Sequence, residues 1–195
     1  MIYETYTCAA KILHEEVKSD EDVEKIVGKY RKEIKVMSHL NRHPNIVRFY
    51  GLCFIAGSPL PRIVMERLET SLDAKLSEQT LSLFRRCSIL ENVASGLKYC
   101  HSRPSPVIHR DLTARNVLLD SSLVAKITDM GNSRIIEPRS IATMLSKAPG
   151  TKDYMPPEAL EQRPHYGPSL DVFSFGHLAL YVLTQVSHDV NKIIS

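Results

Sequence analysis

Residues 107–119 read Val-Ile-His-Arg-Asp-Leu-Thr-Ala-Arg-Asn-Val-Leu-Leu, and the interpretation of the whole chain depends on them. An apolar run enters this stretch, polar and charged side chains fill its middle, and a second apolar run leaves it. This pattern predicts a loop held between two buried strands, and a solvated turn is the alternative. Tight packing would favour apolar side chains in the middle, so the polar ones indicate chemistry: His109, Arg110, Asp111, Arg115 and Asn116.

The composition argues against several classes of protein. The 195 residues are 43% hydrophobic and 24% charged, as in an ordinary globular protein. A net charge of +3 is too small to argue for nucleic acid or a membrane surface as a partner. Residues 172–186 are too few and too polar for a membrane span. The four cysteines are scattered, which favours a reducing environment, and we expect a cytoplasmic protein.

The segment 109–116 resembles the catalytic loop of the eukaryotic protein kinase family, which has the pattern His-Arg-Asp-Leu-x-x-x-Asn. The resemblance implies that Asp111 accepts the proton of a substrate hydroxyl. It also implies that Asn116 holds Mg²⁺ on the nucleotide phosphates. ATP and Mg²⁺ are therefore the expected cofactors, and a protein hydroxyl is the expected acceptor.

A lysine stands in the first predicted strand, which spans residues 6–13. Taken alone, a lysine in a strand is more often an edge or surface residue. However, Ala9-Ala10-Lys11 resembles the kinase strand whose lysine contacts the α- and β-phosphates of ATP. The resemblance implies this role for Lys11 and places Ala9 against the adenine.

A predicted amphipathic helix begins at Ser19 and carries Glu33 beside its apolar face. The resemblance implies that Glu33 pairs with Lys11 and orients it toward phosphate. A surface pair with Lys29 or Lys32 is the alternative.

Two further strands are predicted at residues 46–55 and 62–66, where apolar residues alternate or run together. The second resembles the strand that leads into the kinase hinge. Met65 would then guard the back of the nucleotide pocket, and Glu66 and Leu68 would offer backbone groups to the adenine. The alternative is a plain strand in which Met65 belongs to the core.

Two helices are predicted next. A short polar helix opens at Ser71 or Asp73, and a long amphipathic helix spans residues 83–100. We interpret the long helix as a structural brace beneath the catalytic loop. No function is predicted for the polar residues at its end, which are Tyr99, His101 and Arg103.

The chain after the catalytic loop predicts a hairpin of residues 117–119 and 124–127. The resemblance places Leu118 beneath the adenine. The following Asp129-Met130-Gly131 resembles the kinase Asp-Phe-Gly motif, which implies that Asp129 is a second Mg²⁺ ligand. Methionine can fill an irregular apolar space, so this substitution does not indicate loss of activity.

Residues 132–153 are polar, loop-like and rich in hydroxyl groups, and they resemble a kinase activation segment. A phosphate added there by an upstream kinase would pair with Arg110, whereas a merely solvated loop is the alternative. The stretch 149–158 resembles the peptide-docking segment that ends in Glu158. Asp171 resembles the start of the central large-lobe helix, where it would tie back to the catalytic-loop backbone.

Two sets of residues point to different substrate amino acids, tyrosine in one case and serine or threonine in the other. Thr113 replaces the lysine usual in serine/threonine kinases, and residues 114–116 resemble tyrosine kinases. In contrast, Gly150-Thr151 and Tyr154-Met155 resemble the serine/threonine docking loop. Because that loop touches the substrate side chain most directly, serine/threonine specificity is favoured over tyrosine specificity.

The resemblance implies an α+β, two-lobed protein kinase-like fold, with a small β-rich lobe containing one helix and a mainly helical large lobe. Residues 1–66 would form a small lobe without its glycine-rich loop, 67–70 the hinge and 71–195 an incomplete large lobe. We therefore expect a partial kinase domain, truncated at both ends, that catalyses ATP-dependent phosphoryl transfer. The alternative is a catalytically incomplete kinase-like fragment that acts as a binding or regulatory module.

Overall fold

The helices and strands are taken from a computed structural model, which describes residues 7–12, 20–40, 42–57, 60–136, 151, 154–156 and 167–185. Within these ranges the helices are α1 (Asp20–His39), α2 (Leu72–Glu78), α3 (Leu83–His101) and α4 (Pro168–Thr184). The first four strands are β1 (Cys8–Lys11), β2 (Phe49–Cys53), β3 (Arg62–Glu66) and β4 (Thr70–Ser71). The others are β5 (Val107–Ile108), β6 (Val117–Leu119), β7 (Ala125–Ile127) and β8 (Arg134–Ile135).

The strands form three antiparallel sheets. The first has the order β1-β3-β2 and, with α1, makes up the β-rich part of the chain. The second sheet has the order β4-β6-β7, and the third consists of β5 and β8. Along the chain, β4 comes before α2, and the other four strands of these sheets lie between α3 and α4. The predicted α+β class, with a β-rich part and a helical part, is confirmed.

Helix α1 buries one face, as its sequence periodicity predicts. Its buried apolar residues are Ile26, Tyr30, Val36 and Met37. Glu33 lies on the same face and is only 3% exposed, although a carboxylate is costly to bury without a partner. The position of this residue therefore demands a cation nearby.

Helix α3 is the brace that the sequence predicts. Its buried face consists of Ile89, Val93, Gly96, Leu97 and Cys100. Burial and the nearby charge of Asp171 raise the pKa of the Cys100 thiol to about 12, so this cysteine is unreactive at neutral pH.

The start of α2 settles an alternative that the sequence leaves open. The Oγ atom of Ser71 accepts a hydrogen bond from the backbone N–H of Ala74 at 3.1 Å. Ser71 is therefore the N-cap, and Asp73 lies inside the first turn.

Several predicted boundaries are wrong. Residues 7 and 12 lie outside β1, and β2 ends at Cys53 rather than at residue 55. Helix α4 begins at Pro168, before Asp171, because proline suits the first position of a helix. Strand β2 begins at Phe49 rather than at residue 46; Ile46 instead makes an isolated parallel bridge with Ile127. Strand β8 lies in the segment predicted to be a loop. The sequence does not reveal it, because two residues are too few for a periodic signal. Ser19 and Glu158 lie outside the described residues.

Gly96 allows α3 to approach the turn before β2 very closely. A Cβ atom at this position would lie 2.8 Å from the backbone oxygen of Asn45 and 3.0 Å from Cδ1 of Ile127. Since the backbone cannot move aside cheaply, we expect Gly96→Ala to lower the free energy of unfolding by about 1–3 kcal/mol. Urea denaturation measures this change.

Gly28→Ala in α1 is the matched control for this prediction, because a Cβ there meets nothing within 4 Å. Alanine favours a helix over glycine by about 1 kcal/mol, so this variant should be at least as stable as wild type. Equal effects of the two substitutions would contradict the close packing at Gly96.

Among the described helices, none combines the length and apolar character needed to cross a membrane.

Candidate active site

Lys11 joins two carboxylates that are far apart in the sequence. Its Nζ atom lies 2.7 Å from Oε1 of Glu33 and 2.8 Å from Oδ1 of Asp129. Strand β1 supplies the lysine, α1 the glutamate, and the turn after β7 the aspartate. The structure therefore pairs Glu33 with Lys11, as the kinase resemblance implied.

The charges of this cluster reinforce each other. Burial by itself lowers the pKa of Lys11, but the hydrogen bonds and charges of Asp129 and Glu33 outweigh it and raise this pKa above its ordinary value. For Asp129, burial opposes ionisation, yet Lys11 holds the pKa of this carboxyl below its ordinary value. Both groups are therefore charged at neutral pH.

Asp111 lies in the loop between β5 and β6, and uncharged donors surround its carboxylate. Oδ1 accepts hydrogen bonds from the backbone N–H and the hydroxyl of Thr151, both at 3.0 Å. Oδ2 accepts one from Nδ2 of Asn132 at 3.2 Å and one from Nδ2 of Asn116 at 3.4 Å. This arrangement fixes the carboxylate while it stays partly accessible.

The side chains of Asn116 and Asp129 fit a hard divalent cation. Nδ2 of Asn116 donates to the backbone oxygen of Asp111 at 2.7 Å, so its amide oxygen points elsewhere. Asp129 uses Oδ1 for Lys11 and for the N–H of Gly131. Within the described part of the chain, no hydrogen bond uses Oδ1 of Asn116 or Oδ2 of Asp129. Amide and carboxylate oxygens are ligands that Mg²⁺ prefers.

Asp171 of α4 holds the catalytic loop by its backbone, which agrees with the interpretation of this residue. It is fully buried, and its carboxylate accepts the N–H groups of His109 at 2.8 Å and Arg110 at 2.9 Å. Arg110 adopts a left-handed backbone conformation with φ 67°. Such strain persists only where the surroundings enforce it, and the Asp171 carboxylate does so here.

His101 takes part in the same anchor, although no function was predicted for it. Its Nε2 atom lies 2.7 Å from Oδ2 of Asp171. The residue is at the end of α3, and the sequence alone cannot show that α4 passes beside it. The role of His101 is thus structural support of the Asp171 carboxylate.

Two of the residues expected around the adenine lie on adjacent strands. Ala9 in β1 is directly opposite Met65 in β3, and Met65 is 8% exposed. Leu68 and Leu118 are partly buried and pack against the core. Among the described residues, no hydrogen bond uses the backbone of Leu68.

Glu66 differs from the expectation in part. Its N–H donates to the backbone oxygen of Arg48 at 2.9 Å and is therefore already used. Its carboxylate accepts the N–H of Arg48 at 2.6 Å and Nζ of Lys126 at 2.7 Å. Sequence reasoning missed Lys126, which ties β7 to the end of β3, because the pair is 60 positions apart.

Known proteins of similar sequence are protein kinases. The dual specificity protein kinase shkD of Dictyostelium discoideum is 35% identical over 160 residues, which are 80% of this chain and 21% of that protein. The serine/threonine-protein kinase CTR1 of Arabidopsis thaliana is 37% identical over 157 residues, covering 77% and 18%. The mouse serine/threonine-protein kinase TNNI3K is 34% identical over 160 residues, covering 81% and 19%. The chain thus spans about a fifth of the length of these relatives.

A solved structure shares the fold. A chain of the yeast RNA Pol II CTD kinase CTDK-1 complex superposes with a TM-score of 0.75 at 24% identity, covering 92% of this chain and 55% of that one. At this identity the likeness shows the fold alone. The protein kinase domain family matches residues 3–189, nearly the whole sequence. Together with the relatives, this match shows that the chain belongs to the eukaryotic protein kinase family.

Proposed function

We propose that this chain is the catalytic part of a protein kinase that transfers the γ-phosphoryl group of ATP to a protein hydroxyl, serine or threonine rather than tyrosine. The observation that carries the proposal is the cluster in which Lys11 bridges Glu33 and Asp129. A fold needs no partly buried ion cluster of this kind for stability, since apolar side chains would serve as well. A site for polyphosphate does need a held cation.

Asp111 would act on the acceptor hydroxyl. The hydroxyl oxygen attacks the γ-phosphorus, the bond from this phosphorus to the β-phosphate oxygen breaks, and ADP leaves with that electron pair. The hydroxyl proton passes to the Asp111 carboxylate. Because Thr151, Asn116 and Asn132 already orient this carboxylate, most of its contribution is position and proton acceptance.

Lys11 would hold the α- and β-phosphates, and Glu33 would keep its ammonium group in place. The raised pKa of Lys11 ensures a positive charge at neutral pH. The adenine would lie between Ala9, Met65 and Leu118, and the backbones of Glu66 and Leu68 would face its edge. For Glu66 only the carbonyl is offered, because its N–H is bonded to Arg48.

Asn116 and Asp129 would hold Mg²⁺ through the amide oxygen of one and the carboxylate of the other. When bound, Mg²⁺ neutralises the charge that develops on the phosphates. Asp129 has a left-handed backbone with φ 59°, which aspartate tolerates better than most residues. Its carboxylate is thereby directed to the side of the cluster where Lys11 lies.

Thr151 supports serine/threonine specificity. The hydroxyl and the backbone N–H of this residue both donate to Oδ1 of Asp111, so Thr151 itself lies directly against the expected proton acceptor. Of the three relatives named above, two are serine/threonine-protein kinases and one is a dual specificity protein kinase by name.

Three further expectations belong to the same proposal. A small lobe (1–66) and a large lobe (71–195) would be joined by a hinge (67–70). Phosphorylation by an upstream kinase would act within 132–153, of which 137–150 and 152–153 lie outside the described residues. A cytoplasmic location is supported by the four cysteines, which are all free.

The test is transfer of labelled γ-phosphate from Mg·ATP to a mixture of protein substrates, followed by identification of the phosphorylated amino acid. We expect phosphoserine or phosphothreonine. Phosphotyrosine alone would overturn the acceptor class. A folded chain that binds Mg·ATP or partner proteins without transfer would favour the binding or regulatory module.

A further inference from the structure

Asn132, the first residue of the segment that resembles a kinase activation segment, contacts the proposed proton acceptor, although the sequence gives this residue itself no role in the site. Its Nδ2 atom donates to Oδ2 of Asp111 at 3.2 Å. Nδ2 of Asn116 is slightly farther from the same oxygen, at 3.4 Å, and is 2.7 Å from the backbone oxygen of Asp111. Asn132 is therefore the nearer amide donor to this carboxylate oxygen.

The position of Asn132 is set by the turn that begins at Asp129, the residue proposed to hold Mg²⁺. Asn132 is the last residue of a 3₁₀ turn, Met130–Asn132, which Asp129 caps by accepting the N–H of Gly131. The backbone oxygen of Asn132 accepts a hydrogen bond from Nε of Arg110 at 2.6 Å. A displacement of Asp129 would thus move the amide that holds Asp111.

No charged donor among the described residues duplicates this contact. All four recorded hydrogen bonds to the Asp111 carboxylate come from uncharged groups. Thr113, which stands where many kinases have lysine, is buried and too short to replace its charge. Arg115 is directed away, with a side chain 84% exposed and Nε 3.5 Å from Asp73.

We propose that Asn132 is a positioning residue for phosphoryl transfer, whose amide holds Oδ2 of Asp111 and links the orientation of this carboxylate to the turn that begins at Asp129. The assignment rests on the proposed kinase function. It predicts that Asn132 acts on the chemical step rather than on nucleotide binding, because the amide faces the acceptor side of the site.

Asn132→Leu removes the donor and keeps the branching of the side chain at Cγ. We expect kcat to fall about 10- to 100-fold while the KM for ATP changes less than twofold, because one preorganised hydrogen bond to a reacting group is lost. Steady-state kinetics with a peptide acceptor measures both constants. In an Asp111→Asn background, Asn132→Leu should have little further effect, because the two residues act as a unit.

Asn132→Asp tests the charge of the same position. A carboxylate there would repel Asp111 and favour its protonated form, so the acidic limb of the pH profile of kcat should move to higher pH. A residue that only supported the fold would not move this limb.

Ser133→Ala is the matched control within the same turn. The Ser133 hydroxyl donates to the backbone oxygen of His109 at 3.2 Å and does not contact Asp111. Its loss should weaken the turn but leave kcat within about threefold of wild type, because no reacting group is involved. Equal losses in Ser133→Ala and Asn132→Leu would indicate a structural effect and overturn the assignment.

A second measurement does not depend on turnover. In the ¹⁵N-labelled chain, the side-chain amide of Asn132 is identified by its absence from the Asn132→Leu spectrum. We expect its proton resonance to move upfield in Asp111→Ala, because a hydrogen bond to a carboxylate is lost. An unchanged resonance would overturn the assignment whether or not the chain transfers phosphate. An inactive wild type with a shifted resonance would instead contradict the kinase function alone.

Discussion

Asp111→Asn is expected to lower phosphoryl transfer by about 10²- to 10⁴-fold, the usual contribution of a positioned proton acceptor. The amide is nearly the same size as the carboxylate but cannot accept the hydroxyl proton at neutral pH. Because the proton is transferred during the chemical step, kcat should fall while the KM for ATP stays close to wild type. Transfer of labelled γ-phosphate at several ATP concentrations measures the two separately.

The fold should survive this substitution. Asp111 is partly exposed, so the lost carboxylate leaves its former donors access to water. We expect the free energy of unfolding to fall by about 1 kcal/mol, the typical value of one hydrogen bond. Loss of transfer in a protein with nearly wild-type stability would therefore report chemistry.

Asp120→Asn is the matched control, because it makes the same chemical change in the hairpin turn between β6 and β7. Oδ1 of Asp120 accepts the N–H groups of Ser122 and Val124 at 2.8 and 2.9 Å, and an asparagine oxygen can do the same. Transfer should be unchanged in this variant. If Asp111→Asn kept wild-type transfer as well, the proton-acceptor role of Asp111 would be wrong.

The elements that the sequence predicts well are those with local signals. The long amphipathic helices α1 and α3 carry many turns of apolar periodicity, and the β6–β7 hairpin has a turn between two apolar runs. The site motifs are also local strings with fixed spacing. Their resemblance to kinase motifs implied the pair of Lys11 and Glu33 before any geometry was available.

The contacts that the sequence does not predict join residues distant in the chain. Lys126 meets Glu66, His101 meets Asp171, and Asn132 meets Asp111. Each partner is an ordinary polar residue without periodicity of its own, so only the packing of elements shows the pairing. Of these three contacts, the one made by Asn132 is the easiest to suspect from the sequence, because Asn132 directly follows the Asp129-Met130-Gly131 motif.

The conformation of single residues is another part that sequence cannot supply. Arg110 and Asp129 both have positive φ, yet neither is glycine. The Asp171 carboxylate accepts the backbone N–H of Arg110 and so stabilises its conformation. The conformation of Asp129 is stabilised by its side-chain hydrogen bonds with Lys11 and Gly131. Arg110 and Asp129 lie in the candidate site, whereas Leu123 and Gln185, the other described non-glycine residues with positive φ, lie in a hairpin turn and at the end of α4.

Lys11→Met should also lower transfer strongly, by about 10²- to 10³-fold, because it removes the held cation from the phosphate side of the site. Glu33, whose side chain is 4% exposed, would keep a buried charge without its partner. We therefore expect the free energy of unfolding at neutral pH to fall by about 3 kcal/mol. Urea denaturation and the transfer assay measure the two effects independently.

A double variant separates the ionic role of Lys11 from its structural role. In Lys11→Met with Glu33→Leu, the buried Glu33 charge is removed and only the partly exposed Asp129 lacks its partner, so much of the lost stability should return. Transfer should remain as low as in the single variant. Lys126→Met is the matched control: it breaks an ion pair of the same 2.7 Å length and similar burial, so it should lose stability but keep transfer within about threefold.

The pH dependence of the free energy of unfolding follows from the shifted pKa values of Asp129 and Lys11. Because the folded chain holds the pKa of Asp129 below its ordinary value of 3.8, this carboxylate contributes stability above that pH which is lost as the pH falls through the lowered value. The pKa of Lys11 is raised above 10.5, so its contribution is complete below that pH and is lost only as the pH rises through the raised value.

Lys11→Met removes the partner that lowers the pKa of Asp129. Wild type should therefore lose more stability than the variant as the pH falls below about 4, and the two curves of unfolding free energy should converge. Parallel curves through the acid range would mean that Asp129 does not depend on Lys11 for its charge. The cluster would then not be the coupled phosphate site on which the kinase assignment rests.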